Sequence, residues 1–434
     1  MKPRDFLEID YLILLPVMAL IVIGILFIYS SGISSGSSTE YIKQIVWASA
    51  GLIVALVLAM VNYRRLYDIS QYLYIAALIP LVYTLFLGRV IHGTRWLRIG
   101  FFGIQVSEFV KITTIIFLAR YLADTRRSDS SFIRFIVSCL IVVVPMGMVL
   151  IQPDLGTSLV FVPILIAMTY IAGLSIRYVI FSVSCIFLTG ILIVLPLWQT
   201  YIFRQPLSAL VILTNPRLTV MVILVLSIII AISLFGHLKY HKRYFFWMFY
   251  VTAIIVFSLA ASYGARIVLR NYQIMRLIVF LDPNVDPRGA GWNIIQSITA
   301  IGAGGLAGKG FLQGTHSQYR FVPEQSTDFI FSIFSEEAGF IGGIVVFSLF
   351  LVICLRLLRI IKITSDPFAA YTCAGLAGMY SFHFLINVGM TMGIMPITGI
   401  PLVFMSYGGS SMMSTMLGIG IALSIHVRRY TQVI

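Results

Sequence analysis

Hydrophobic residues dominate the chain in long runs that short polar stretches separate. A run of about 20 apolar residues spans the hydrocarbon of a bilayer as an α-helix, so each run predicts a membrane-spanning helix. We place twelve such helices at residues 11–29, 44–61, 72–88, 104–123, 132–151, 155–173, 178–198, 209–235, 244–262, 328–355, 369–390 and 402–425. The predicted fold class is therefore all-α: a polytopic transmembrane helical bundle of about twelve spans.

One long polar stretch interrupts this pattern before the tenth predicted span. Residues 263–327 are rich in glycine and in charged side chains, most of all from Asp282 onward. Long loops in compact proteins are usually functional or disordered. We therefore predict that the chemistry of this protein lies in the loop 263–327 and at the beginning of the helix that follows it.

Composition agrees with a membrane protein and bears on its orientation. The chain is 59% hydrophobic and 11% charged, and its formal net charge is +14. The basic residues of five loops and of the C-terminal tail fall on the side of the N-terminus, and the positive-inside rule predicts that this side, with both termini, is cytoplasmic. The first apolar run lacks a small-residue cleavage site, so no cleavable signal is predicted. Nucleic-acid binding is excluded because no soluble basic module is present.

The predicted outer side nevertheless carries many cations, which the positive-inside rule does not explain for a short loop. They are Arg89, Arg95, Arg98, Arg204, Arg266, Arg270, Arg276, Arg288, Lys309 and Arg320. Cations at an outer membrane surface suit an anionic headgroup such as a phosphate or pyrophosphate lipid. We nominate Arg95, Arg98, Arg276, Lys309 and Arg320 as substrate-binding residues, with scattered solvated charges as the alternative.

Two charged residues lie inside the fourth predicted span. Glu108 and Lys111 are three positions apart, so they share a helix face. Charges at membrane depth are costly and mark either function or a paired structural site. The pair therefore either forms a mutual ion pair or lines an outward-open, substrate-binding cavity. Asp154 follows Pro153 and precedes the sixth span, where it fits a helix cap and, compatibly, a substrate-binding residue.

The stretch 302–310 invites comparison with a phosphate-binding loop, and the comparison fails. Ala303 stands where the first glycine is needed, Gly310 replaces the Ser or Thr, and no strand precedes the stretch. Its backbone amides and Lys309 could still bind an anion. A flexible turn is the alternative.

The beginning of the tenth span carries the residue that we nominate as catalytic. Asp328 lies at the membrane boundary beneath a basic loop, where a carboxylate is well placed as a general base. The alternative is that Thr327 or Asp328 caps the helix. Glu336, a further substrate-binding candidate, and Glu337 are predicted to face the bundle interior and to pair with loop arginines.

The link between the last two spans is broken by prolines and glycines between residues 387 and 410. Irregular backbone at membrane depth is tolerated only where protein or a water-filled cavity satisfies its polar groups. We expect this link to lie near Asp328, beside a cavity that faces outward.

Several motifs, in order along nearly the whole chain, resemble the SEDS family of RodA, FtsW and SpoVE, and most closely its elongation branch. They are GTRWL at 93–97, SEFVK at 107–111, QPDLGTS at 152–158, DPRGAGW at 286–292, GGLAGKG at 304–310, PEQSTDFIF at 323–331 and the stretch 397–410. The resemblance implies a single membrane domain over residues 1–434 with ten core spans. Residues 207–261 then form an inserted hairpin, and residues 263–327 form an extracytoplasmic catalytic loop.

The resemblance also implies an activity. It predicts a peptidoglycan glycosyltransferase that polymerises lipid II on the outer face of the bacterial cytoplasmic membrane during cell elongation and releases undecaprenyl pyrophosphate. Asp328 matches the family's catalytic aspartate, and Glu108 and Lys111 match residues of its central cavity. Implied partners are a class B penicillin-binding protein, other elongation-complex proteins and membrane lipid. A lipid II flippase and a non-catalytic scaffold are the alternatives.

No cofactor motif is evident. The four cysteines lie inside apolar runs without metal or redox spacing, and no ligand cluster of known spacing is present. The sequence leaves a role for a divalent cation open.

Overall fold

The computed structural model describes residues 9–33, 39–90, 96–99, 102–127, 130–203, 205, 207 and 210–429. Its chain divides into two compact units, one of Met1–Leu174 with Trp292–Ile434 and the other of Ser175–Gly291. The elements of the first unit are α1 (Tyr11–Ile33), α2 (Glu40–Met60), α3 (Arg64–Val90), β1 (Trp96–Ile99), β2 (Phe102–Gln105), α4 (Val106–Asp124), α5 (Ser131–Ile151) and α6 (Leu155–Ile171). The second unit contributes α7 (Ile176–Trp198), a π-helical turn (Gln199–Phe203), α8 (Val211–Thr214), α9 (Pro216–Tyr240), α10 (Arg243–Val268), α11 (Asn271–Leu281) and a 3-10 turn (Pro283–Val285). The chain then returns to the first unit with α12 (Ala290–Gly304), α13 (Thr315–Gln318), α14 (Ile330–Ile363), α15 (Pro367–Thr391) and α16 (Gly409–Val427).

The predicted all-α bundle is confirmed, since a helix occupies each of the twelve predicted spans. Among the described residues, ten helices are long and apolar enough to cross a membrane. The remaining two predicted spans are α4, which carries four charged residues, and α6, which has 17 residues. The loop predicted at 263–327 is more ordered than its composition indicates, because it holds α11, α12 and α13.

Helices α15 and α16 form the centre of the first unit. The most apolar windows of α15 and α16 are 72% and 78% buried inside the protein, against 44% or less in every other candidate span. Helix α16 packs on α2, and α15 packs on α6 and on α14. The outer helices leave large apolar side chains exposed, as a lipid-facing surface requires.

The second unit contains the predicted hairpin. Helices α9 and α10 pack together and are joined by two residues, and α10 also packs on α7. The turn is tight because His241 takes the left-handed conformation, with φ +53°, as the C-cap of α9. The interpretation of residues 207–261 as an insertion stays a prediction.

Helix α14 is broken inside its apolar run, which the sequence pattern did not predict. Gly339 has φ +67° and ψ −166°, so the helix consists of two halves that meet at this glycine. A conformation with positive φ favours glycine, which has no Cβ atom. The first half, Ile330 to Ala338, carries the two glutamates singled out by the sequence.

Candidate active site

Asp328 lies in a tight turn immediately before α14. The main-chain amides of Thr327 and Phe329 both donate to the carbonyl oxygen of Glu324, at 3.3 and 3.2 Å. Helix α14 begins at Ile330 with Phe329 at the N-cap, and the Thr327 hydroxyl contacts Glu324 Oε2 at 3.2 Å. The N-cap residue is Phe329, so the alternative that Thr327 or Asp328 is the N-cap of this helix is wrong. Asp328 itself is half-buried at the head of the helix.

The segment between α15 and α16, residues 392–408, lies beside Asp328 as predicted; we call it the broken segment. Asn387 of α15 donates from Nδ2 both to the carbonyl oxygen of Asp328, at 2.9 Å, and to that of Ile400, at 2.7 Å. The main-chain amide of Tyr407 donates to the carbonyl oxygen of Ser326 at 2.7 Å. Two contacts thus join the Asp328 turn to this region, while the predicted outward-facing cavity stays a prediction.

Side chains of neighbouring helices satisfy the irregular backbone of the broken segment. Gln44 of α2 donates to the carbonyl oxygen of Ser406 at 3.0 Å and accepts from the amide of Gly408 at 3.2 Å. A Cβ atom on Gly156 of α6 would stand 2.5 Å from the carbonyl oxygen of Thr398, so only glycine permits this approach. Protein groups therefore supply the partners that non-helical backbone needs at membrane depth.

Glu108 and Lys111 form the ion pair that their spacing predicts. Lys111 Nζ lies 2.9 and 3.0 Å from the two carboxylate oxygens of Glu108. The side chains are only 1% and 2% exposed. Ser414 of α16 donates to Glu108 Oε2 at 3.1 Å, and His383 of α15 lies 3.0 Å from Lys111 Nζ. The alternative that the pair lines an outward-open cavity stays a prediction. A role in binding substrate stays a prediction.

His383 is the site residue that the sequence analysis missed. Its Nε2 atom lies 3.0 Å from Lys111 Nζ, and its Nδ1 atom lies 3.2 Å from the carbonyl oxygen of Pro401. The ammonium donates and the carbonyl accepts, so the neutral tautomer with its proton on Nδ1 satisfies both bonds. A histidine and an asparagine four positions apart inside an apolar helix were the available signal, since polar side chains at membrane depth mark function or pairing.

Asp154 caps α6, as predicted. Its Oδ1 atom accepts from the main-chain amide of Thr157 at 3.2 Å. Its Oδ2 atom accepts from Gln105 Nε2 at 2.8 Å, at the point where β2 passes into α4. The carboxylate, which is 5% exposed, therefore ties two helix beginnings together. Its substrate-binding role stays a prediction.

Residues 304–310, which we call the glycine-rich loop, lie against the break in α14. The amides of Lys309 and Gly310 donate to the last carbonyl oxygens of the first half, those of Glu336 and Glu337, each at 3.0 Å. The amides of Phe340 and Ile341 donate back to the carbonyl oxygens of Gly305 and Leu306, at 2.9 and 3.1 Å. The loop thus supplies the partners that a broken helix loses at both new ends. The flexible turn does not describe this arrangement, and the amides of Lys309 and Gly310 are bound to main-chain carbonyl oxygens. Anion binding by the Lys309 side chain stays a prediction.

Glu336 is completely buried beneath this loop, at 0% exposure. Its Oε1 atom accepts from Lys309 Nζ at 2.7 Å and from Thr315 Oγ1 at 3.0 Å, and it lies 3.0 Å from His316 Nδ1. The predicted interior position is confirmed. The predicted arginine partner is wrong, because the glycine-rich loop brings a lysine to this carboxylate. Its role in substrate binding stays a prediction.

The nominated cations lie in different parts of the chain. Lys309 is 29% exposed and bound to Glu336. Arg320 is exposed just after α13 and has φ +54°. Arg276 belongs to the second unit, where its guanidinium lies 5.7 Å from the ring centroid of Tyr272. Arg98 lies in β1 opposite Gly103, and Arg95 falls outside the described residues. Their common binding of an anionic headgroup stays a prediction.

An apolar groove of about 850 Å³ runs along the break in α14. Side chains of α14 and α15 line it, among them Phe340, Phe347 and Phe384. This lining suits an alkyl chain or an apolar helix and offers a sugar few hydrogen-bond partners. Within the described ranges, no group of three or more His, Cys, Asp or Glu side chains is arranged to hold a metal ion.

A family model described as a cell cycle protein, FTSW_RODA_SPOVE, matches residues 10–206 and 200–431. The chain belongs to this family. It is 44% identical over 433 residues to the peptidoglycan glycosyltransferase RodA of Treponema pallidum, with 99% of this chain and 100% of that relative covered. It is 31% identical over 427 residues to the peptidoglycan glycosyltransferase MrdB of Escherichia coli K12, covering 98% of this chain and 95% of MrdB.

Two solved structures share this fold. A chain in the structure described as "Structural coordination of polymerization and crosslinking by a peptidoglycan synthase complex" matches with a TM-score of 0.66 and 24% identity, covering 98% of this chain and 99% of that chain. Rod shape determining protein RodA of Thermus thermophilus matches with a TM-score of 0.60 and 21% identity, with 98% of each chain covered.

Proposed function

We propose that this chain is a peptidoglycan glycosyltransferase that polymerises lipid II into glycan strands on the outer face of the bacterial cytoplasmic membrane during cell elongation. The observation that carries the proposal is the full-length match to a relative named peptidoglycan glycosyltransferase RodA at 44% identity. The position of Asp328 at the head of a membrane helix, between the polar loop and the broken segment, supports it.

In the proposed reaction Asp328 is the general base. Its carboxylate takes the proton from an acceptor sugar hydroxyl, and that oxygen attacks the anomeric carbon of the donor. The bond from this carbon to the pyrophosphate oxygen breaks, and undecaprenyl pyrophosphate leaves with the electron pair. A half-buried carboxylate at a helix beginning suits this role, and Asn387 holds the main-chain carbonyl of the same residue at 2.9 Å.

The leaving pyrophosphate needs cations, since negative charge develops on it as the bond breaks. We assign this role to Arg95, Arg98, Arg276, Lys309 and Arg320. The contact of Lys309 with buried Glu336 supports its part, because an ammonium held at 2.7 Å by a fixed carboxylate needs less ordering when it meets an anion.

The proposed partner is a class B penicillin-binding protein that crosslinks the new glycan, together with other proteins of the elongation complex. The likeness to a chain of a peptidoglycan synthase complex, described as coordinating polymerization and crosslinking, supports such a partner. The proposed orientation places both termini in the cytoplasm and the polar loop outside, in agreement with the positive-inside rule.

Polymerisation and lipid transport are separated by one paired assay. Purified protein in proteoliposomes is given lipid II, and glycan strands and lipid II translocation are measured in the same preparation. The proposal predicts strands, increased by the partner, whether or not lipid II crosses the bilayer. Translocation without strands would favour the flippase.

A further inference from the structure

We propose that Asn387 is a positioning residue for the reaction, and that with His383 it links the main chain at Asp328 to the buried Glu108–Lys111 pair. This inference rests on the proposed function of Asp328 as the base. It assigns a role to a side chain that touches the main chain next to the reacting group and is too buried to touch substrate, at 0% exposure.

The orientation of the Asn387 amide is fixed by its two partners. Both contacts of Nδ2, with the carbonyl oxygens of Asp328 and Ile400, are to acceptors. A flipped amide would set its own oxygen against two carbonyl oxygens, so only the observed orientation is favourable. Asn387 therefore joins the Asp328 turn to the broken segment, and at this point both lie outside the helices and strands.

His383 lies one turn earlier on the same face of α15 and also binds the broken segment. It donates from Nδ1 to the carbonyl oxygen of Pro401 at 3.2 Å. Pro401 directly follows Ile400. Its other nitrogen accepts from Lys111 at 3.0 Å. Two consecutive carbonyl groups of the broken segment are thus bound by two side chains of one helix, and one of these also binds the ion pair.

These contacts make a continuous chain from Glu108 and Lys111 through His383, the broken segment and Asn387 to Asp328. Each step is a hydrogen bond of 2.7 to 3.2 Å or a covalent link. A base displaced by about 1 Å from its productive position loses much of its rate. The network therefore gives a fully buried ion pair a way to affect the reaction without contact with lipid II.

The test compares Asn387→Leu, which keeps the approximate size and removes both donors, with Thr391→Val. Thr391 is a matched control: it is buried on the same helix, and its hydroxyl donates only to the carbonyl oxygen of Val388 in its own helix. Both variants are purified with the partner, checked for thermal stability, and assayed for lipid II polymerisation. Hydrogen exchange of the peptide covering residues 324–332 is measured in parallel.

We expect Asn387→Leu to lower kcat at least about tenfold. Its KM for lipid II should stay within about twofold, because a positioning contact acts on the transition state. Amide exchange before α14 should rise, and Thr391→Val should leave kcat, KM and exchange unchanged. If Asn387→Leu does not fold, Asn387→Ser, which keeps one donor, is judged by the same criteria.

If a folded Asn387 variant has the wild-type kcat and Asp328→Asn is inactive, the role proposed for Asn387 is wrong and the function proposed for Asp328 stands. If Asp328→Asn polymerises at the wild-type rate, the proposed function of Asp328 fails first, and this inference falls with it. The two failures are therefore distinguishable in one set of assays.

Discussion

Asn387 donates a hydrogen bond from Nδ2 to the carbonyl oxygen of Asp328 at 2.9 Å, across 59 positions of sequence. The contact joins the centre of the bundle to the residue nominated as the base. Asp328 thus lies immediately before α14 with its main-chain carbonyl held by a side chain of α15.

The order of the two charges in the Glu108–Lys111 pair matters, because Lys111 is the member that contacts His383. We predict that the exchange Glu108→Lys with Lys111→Glu does not restore stability, because it sets a carboxylate against the accepting Nε2 atom of His383. Removing one partner alone, as in Lys111→Met, leaves an uncompensated buried charge and should cost about 3–5 kcal/mol. Thermal unfolding in detergent measures the stability of the exchanged double variant and of Lys111→Met. An exchanged pair as stable as the wild type would show that His383 does not fix the direction.

Asp154 should tolerate asparagine better than alanine. Asparagine is as good an N-cap as aspartate, whereas alanine loses the bond to the Thr157 amide and about 0.5–2 kcal/mol. We therefore expect Asp154→Asn to lose less thermal stability than Asp154→Ala, because asparagine keeps the cap and gives up the bond from Gln105. Polymerisation by the folded Asp154→Asn variant then tests the substrate role, since a binding role that needs the charge lowers activity by more than the change in stability explains. Equal stability of the alanine variant would contradict the cap.

Gly308 should not tolerate alanine. It has φ +80°, and a Cβ atom would stand 2.1 Å from the carbonyl oxygen of Glu337. Because that atom is backbone of the first half of α14, Gly308→Ala should destabilise the protein by more than about 1–3 kcal/mol. Gly302 is the control: it is helical, nothing lies within 4 Å of its Cβ position, and alanine there should be neutral or stabilising. Similar melting temperatures for the two variants would contradict the role given to the glycine-rich loop.

Hydropathy predicted the helices because membrane spans are set by local composition. The broken segment and the Glu108–Lys111 pair were predicted for the same reason: prolines, glycines and charges at membrane depth have few possible explanations. The break at Gly339 was not predictable, since its local sequence reads as helix and its partners lie in residues 304–310. The same tertiary contact decides that Glu336 meets Lys309 instead of an arginine.

His383 shows a second limit of sequence reasoning. A single histidine in an apolar helix has no spacing that names its partner, and its two contacts come from α4 and from the broken segment. The cap at α14 failed for a related reason. Thr and Asp before an apolar run favour capping, but the carbonyl oxygen of Glu324 accepts from the amides of Thr327 and Phe329, and Phe329 is the N-cap.

In the proposed reaction the Asp328 carboxylate performs the proton transfer of glycan polymerisation. The most direct measurement is the rate at which purified wild type and Asp328→Asn, each with the partner, make glycan strands from lipid II. The asparagine variant keeps the size of the side chain and the main-chain contact with Asn387, so we expect it to fold, to bind the partner and to form no strands. Strand synthesis at the wild-type rate by the folded variant would show that Asp328 is not the base.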